Sequence, residues 1–113
     1  MNPPPKSRFV DSAALPWRET PHSGVAWKKL SFDETTGRSA VLLKFEPGAE
    51  YATHRHPEGE QYWILDGSLE ENDESWGAGT FVQHPPGSVH RPKSKDGCLL
   101  LVFLEKPIET IGV

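Results

Sequence analysis

The sequence predicts an all-β chain folded as one small sandwich or barrel. Three observations lead there. Apolar and polar residues alternate over short runs, the period of a strand with one buried face. Turn signals recur every few residues, supplied by eleven prolines and ten glycines in a chain of 113 residues, and both residue types oppose long helices. A helical period is almost absent. Strands at this spacing pack as a sandwich or close into a barrel. A chain of this length makes one domain with a modest core.

Taken in order, residues 1–7 read as a flexible tail, because consecutive prolines cannot join a ladder. Arg8-Phe9-Val10 is expected as a short edge strand. Ser12 to Leu15 offers one turn of helix, stopped by Pro16, and Trp17 should anchor this arm to the body. Thr20 to Gly24 is a loop, with His22 solvated. Residues 1–24 thus form a tail and arm, residues 25–106 the barrel, and residues 107–113 a C-terminal tail. Val25 to Phe32 and Ser39 to Phe45 alternate as strands around a polar loop. Pro47-Gly48 turns the chain into a histidine-bearing strand. Gln61 to Leu65 is apolar on both faces, and Asp66-Gly67 is expected to make a tight hairpin, a pair that suits such turns. Ser68 to Asn72 would be the return strand. Asn72 to Ser75 turns again, and Thr80 to Gln83 extends. Pro85-Pro86-Gly87 is a rigid turn that delivers His90. Lys95-Asp96-Gly97 turns into Cys98 to Leu104, which is apolar throughout and needs cover on both faces.

Twelve basic and sixteen acidic residues give a formal charge of −4. That balance argues against a nucleic-acid surface. No apolar run approaches the ~20 residues of a membrane helix, and the N-terminus lacks the layout of a signal peptide. A single cysteine, Cys98, excludes an internal disulfide and fits a reducing cytoplasm.

The chemistry is concentrated in two stretches. In Gly48 to Gly67, His54 and His56 stand at i and i+2, so a strand points both imidazoles to one face. Glu60 follows a bend at Pro57-Glu58-Gly59 and can return a carboxylate to the same place. In Gly79 to His90, a Pro-x-Gly-x2-His run supplies a further imidazole. Neutral imidazole and carboxylate are the usual ligands of first-row divalent metals. Without a metal, each buried polar atom left unpaired would cost about 1–3 kcal/mol.

These residues resemble the two cupin motifs. Gly48, His54, His56, Glu60 and Gly67 match the first at every stated position. Gly79, Pro85, Gly87 and His90 match the second, which departs only where Ser94 replaces an asparagine that is not a metal ligand in the family. The words HRHPEGEQYWILDGSL and AGTFVQHPPGSVHRPKSKDGCLLLV are similar to the C-terminal cupin domain of ChrR-type zinc-binding anti-sigma factors, over roughly Trp27 to Glu105. The resemblance implies a double-stranded β-helix, or jelly-roll barrel, with His54, His56, Glu60 and His90 as metal ligands. It implies zinc, for which four protein ligands can close a tetrahedral shell. Iron, manganese or nickel in an octahedral shell would leave two positions for water, dioxygen or substrate.

Two functions follow from the resemblance. One is a sensory domain binding a metal and a small molecule. The other is a metal-dependent dioxygenase of a small diketone or related carbonyl compound. A third reading, an isomerase or lyase, finds no further carboxylate motif in its support. Within these 113 residues there is neither room nor cysteine for the zinc domain by which such anti-sigma factors hold a sigma factor.

Around the ligands, Tyr62 shares strand parity with Glu60. Its phenol either faces the cavity, where it could take part in catalysis, or packs in the core with its hydroxyl at the rim. His84 is expected at the rim, and Arg55 and Arg91 should point away from the metal. Cys98 is expected to be buried and inert. The second apolar faces of Gln61 to Leu65 and Leu99 to Leu104 need cover, from the arm or from a second subunit. The arm is short, so a homodimer is expected.

Overall fold

The computed structural model describes residues 3–106 and 109–110. A single 3-10 turn, Ser12–Ala14, is capped by Asp11, whose side chain accepts from the Ala13 N–H. The other regular elements among the described residues are strands: β1 (Arg18–Glu19), β2 (Val25–Phe32), β3 (Ser39–Phe45), β4 (Ala49–Glu50), β5 (His54–His56), β6 (Glu60–Glu71), β7 (Glu74–Gly77), β8 (Phe81–His84), β9 (Ser88–His90), β10 (Lys93–Ser94), β11 (Cys98–Leu104) and β12 (Glu109–Thr110). The limits of β2, β3 and β11 are those the alternation predicts. The larger sheet runs β1-β2-β3-β11-β6-β10-β4, with β7 and β8 also on β6, and the smaller runs β12-β5-β9.

The strand β6 corrects the expected hairpin at Asp66-Gly67. The chain does not reverse there, and Ser68 to Glu71 continue the same strand. Asp66 lies opposite Leu99 and Ile64 opposite Leu100, which leaves Leu65 as an extra residue in a bulge. Gly67 does take the positive φ (77°) that an Asp-Gly pair favours, but the bulge uses it rather than a reversal. A Cβ at Gly67 would stand 2.0 Å from the Gly97 carbonyl oxygen, so close approach of β11 requires glycine as well. The reversal comes at Asn72-Asp73, both at positive φ (54° and 61°), as in a two-residue hairpin. The bulge also shifts the parity. Tyr62 and Ile64 are buried before it, Leu69 and Glu71 after it. One long strand can therefore serve two parts of the barrel, pairing β11 and β8 with its first half and β7 and β10 with its second.

The arm differs from expectation at Arg8-Phe9-Val10, which is exposed and forms no strand, with Phe9 95% exposed. The edge of β2 at Ala26 and Trp27 is taken by β1, through Arg18 opposite Trp27 and Glu19 opposite Ala26. Trp17 does anchor the arm. Its ring lies 4.8 Å from Lys28 Nζ and 4.4 Å from Lys44 Nζ, cation–π contacts with β2 and β3. Lys28 Nζ also donates to the Ser12 carbonyl at 2.7 Å. At the other end, within the expected tail, Glu109 and Thr110 pair with Arg55 and His54. Residues 107, 108 and 111–113 lie outside the described residues.

Inward side chains of the large sheet, among them Val25, Phe45, Ile64, Leu100 and Val102, form the core. Its outer face over β11, β6 and β8 is apolar and open. Leu101 lies opposite Trp63, and Trp63 opposite Phe81; Trp63, Phe81 and Phe103 are each about half exposed. Among the described residues, no helix is long and apolar enough to cross a membrane.

Candidate metal centre

Three segments bring the predicted ligands together. Pairing of β5 with β9 sets His54 opposite His90 and His56 opposite Ser88. Two turns are tied to one atom: the Gly59 and Gly87 N–H groups both donate to the His56 carbonyl, at 3.1 and 2.8 Å. The first turn returns Glu60 to the histidines, and the second launches the strand that carries His90. Ring nitrogens of His54, His56 and His90 all lie within 4.8 Å of one another. Glu60 Oε1 stands 3.2 Å from His56 Nε2 and 3.4 Å from His90 Nε2. His54 and His56 are buried, at 4% and 1% exposure.

The hydrogen bonds select the tautomers. His54 Nδ1 meets the Ala52 carbonyl at 2.8 Å. A carbonyl only accepts, so Nδ1 carries the proton and Nε2 keeps a lone pair. His90 Nδ1 meets Glu71 Oε1 in the same sense. His56 Nε2 and His90 Nε2 face each other at 2.6 Å, and His56 Nδ1 is buried without a partner among the described residues. Two lone pairs at that separation repel. A proton on one nitrogen, or a cation between them, relieves the repulsion.

The proton affinities follow this geometry. Burial pushes His54 down to about 4. Burial, then the neighbouring histidines, push His56 down to about 3. Burial alone would also lower His90, but the Glu60 and Glu71 carboxylates outweigh it and raise His90 to about 9. The donor set is thus two neutral imidazoles, a third whose proton sits where charge is wanted, and a carboxylate. It fits a divalent metal.

Sequence reasoning missed Glu71. Its carboxylate is buried, at 8% exposure. Beyond its contact with His90, its Oε2 accepts from the Tyr62 hydroxyl at 2.5 Å and lies 3.1 Å from His84 Nε2. Burial opposes its ionisation, yet the bonds from His84 and His90 hold it well below the usual carboxylate range. Tyr62 lines the cavity, but its hydroxyl is turned to Glu71 rather than to a rim. Burial and the Glu71 charge raise its pKa, so it stays a donor.

His84 is not at the rim either. It pairs opposite Glu60, its side chain is 14% exposed, and its ring lies against His90 at 4.2 Å. Alternation along β8, with Phe81 and Gln83 outward, was the signal that could have placed it inward. His22 is half-buried rather than solvated: its ring packs tilted against Tyr51 at 3.9 Å, and Tyr51 meets His54 edge-on at 4.9 Å. Arg55 is exposed, and Arg91 pairs with Glu50 at the surface. Cys98 is buried, and burial pushes its thiol up to about 11. Ser94, at the position that departs from the motif, donates to the Ser68 carbonyl at 2.5 Å and ties β10 to β6.

His54, His56, His90 and Glu60 line a cavity of about 610 Å³. Its walls are mostly apolar, including Trp27, Leu43, Phe45 and Val102. The family profile of the ChrR cupin-like domain matches residues 5–107. The chain belongs to the ChrR cupin-like domain family.

No curated protein matches this cupin. Solved structures share its fold. A proposed acetylacetone dioxygenase from Methylibium petroleiphilum PM1 superposes with a TM-score of 0.90 at 15% identity, covering 99% of this cupin and 85% of that chain. An acetylacetone dioxygenase from Acinetobacter johnsonii gives 0.80 at 15% identity, with coverage of 99% and 85%. The complex of Rhodobacter sphaeroides SigE with the anti-sigma ChrR gives 0.69 at 23% identity, over 81% of this cupin and 49% of that chain. The cupin thus spans about half of that chain's length. At these identities the likeness establishes a cupin fold and nothing finer.

Proposed function

We propose that this cupin holds a divalent metal with His54, His56, Glu60 and His90, and binds a small, largely apolar molecule with oxygen donors in the adjoining cavity, as a sensory or ligand-binding domain. One observation carries the reading. Three imidazoles, two with their Nδ1 already engaged, converge with Glu60 in the wall of a largely apolar cavity. A bound metal would supply Lewis acidity toward an oxygen of the ligand. The protein supplies the rest. Glu60 offsets part of the cation's charge. The Ala52 carbonyl and Glu71 keep two rings oriented. The largely apolar walls select carbon-rich molecules over charged ones. Zinc is the metal we propose, by the likeness to ChrR-type domains.

The cavity also favours a second reading, a dioxygenase of a small diketone. An apolar space of this volume reaching the ligand cluster can admit a compact dicarbonyl with both oxygens toward the donors. Metal analysis of protein purified without chelators, followed by oxygen uptake on adding a β-diketone, separates the two. Stoichiometric zinc with no uptake supports the sensory reading. Stoichiometric iron with uptake supports the dioxygenase. Failure to bind any divalent ion stoichiometrically, even on reconstitution, overturns both.

A further inference from the structure

We infer that Glu71 is the positioning residue of the centre: it holds the His90 ring so that Nε2 alone can serve as a ligand. The inference rests on the metal reading above. Glu71 belongs to neither sequence motif, and it reaches the site only because the bulge in β6 turns it inward.

The chemistry of its partners singles out a carboxylate. Its Oε1 receives His90 Nδ1, and its Oε2 receives the Tyr62 hydroxyl at 2.5 Å with His84 Nε2 at 3.1 Å. Donors therefore approach both oxygens. An ionised carboxylate accepts at both; a primary amide must turn its NH2 toward one of them. Tyr62 and His84 fix the carboxylate from one side, and the carboxylate fixes His90 from the other. The bond also keeps the proton on Nδ1 and makes Nε2 a stronger donor. Partners of this kind typically change metal affinity by about 10- to 100-fold. Among the described residues, His54 has only the Ala52 carbonyl in the equivalent place, so it serves as an internal control.

The test uses zinc as the probe. Glu71→Gln should bind zinc at least about tenfold more weakly than the native protein in a chelator competition. In zinc-loaded protein, the His90 Nδ1 proton should give a downfield NMR signal that moves upfield in Glu71→Gln, while the His54 Nδ1 proton stays in place. If Glu71→Gln does not fold, the native protein still decides: a His90 bound through Nδ1, or lacking the downfield proton, overturns the inference. Unchanged affinity overturns it too. So does weaker binding in which the His90 signal stays put or both histidine signals shift, since that pattern marks general packing. In each of those cases the native protein still binds zinc and the metal reading stands. Native protein that binds no zinc overturns that reading and this inference together.

Discussion

Metal affinity should rise with pH in a way that counts the protons in the site. The perturbation is pH, from 6 to 9, on protein loaded with zinc from a competing chelator. His54 and His56 sit near 4 and 3, so both are already neutral across this range. His90 sits near 9 and keeps its proton until then. Binding must therefore expel one proton, and the affinity should rise about tenfold per pH unit. From pH 7 to 9 the gain is about 100-fold, less the rounding near the His90 pKa. Three unperturbed imidazoles near 6.5 would behave otherwise, with a steep rise below that pH and almost none above it. Calorimetry in buffers of different ionisation enthalpy would count the released protons directly. Affinity that is flat between pH 7 and 8, or a release of two or more protons there, would refute the reasoning.

The metal-free protein gives a second pH signature. His90 is raised in the folded state, so its contribution is complete below about 6.5 and fades as pH climbs through 9. His54 and His56 are lowered, so the cost of protonating them grows as pH falls from about 6.5 toward 4. Thermal scans of metal-free protein should peak near pH 6.5, and a midpoint rising steadily to pH 9 would contradict this. His54→Ala and His90→Ala should each lower metal content sharply with the β-sheet signal in circular dichroism retained, whereas His22→Ala should leave metal content unchanged. Wild-type occupancy in either ligand variant would mean the site is misassigned. Gly67→Ala should destabilise the fold by on the order of 3 kcal/mol in urea, because its Cβ would meet the Gly97 carbonyl at 2.0 Å and its φ is positive. A loss below about 1 kcal/mol would show that β11 can shift to make room. The open apolar face around Trp63, Phe81 and Phe103 should pair two copies, and light scattering at micromolar concentration that returns 12.6 kDa would refute it.

Much of this was legible in the residues themselves. Strands β2, β3 and β11 end where the alternation and the turn residues say, because period and turn chemistry are local properties. The convergence of His54, His56, Glu60 and His90 was legible for a related reason. Parity places His54 and His56 on one face, and fixed spacings through Pro57-Glu58-Gly59 and Pro85-Pro86-Gly87 bring the other two back to it. Two short stretches of sequence, Gly48 to Gly67 and Gly79 to His90, supply these four residues.

What the tertiary structure decided begins at the bulge. Asp66-Gly67 states only that a positive φ is available. Whether the chain reverses or bulges there depends on β11, which pairs across it from Glu60 to Gly67. That one choice reverses the parity of everything after it and carries Glu71 from an expected return strand into the centre. Nothing local could reveal a carboxylate nineteen residues before His90 in sequence and bonded to its ring. His84 and His22 moved inward for the same kind of reason: their neighbours, Glu60 and Glu71 for one and Tyr51 for the other, come from elsewhere in the chain. The sequence by itself pointed to His54, His56, Glu60 and His90 as candidate ligands. The packing of distant strands determined which groups orient them, because a side chain's partners across a sheet are set by register, and register is a property of the whole barrel.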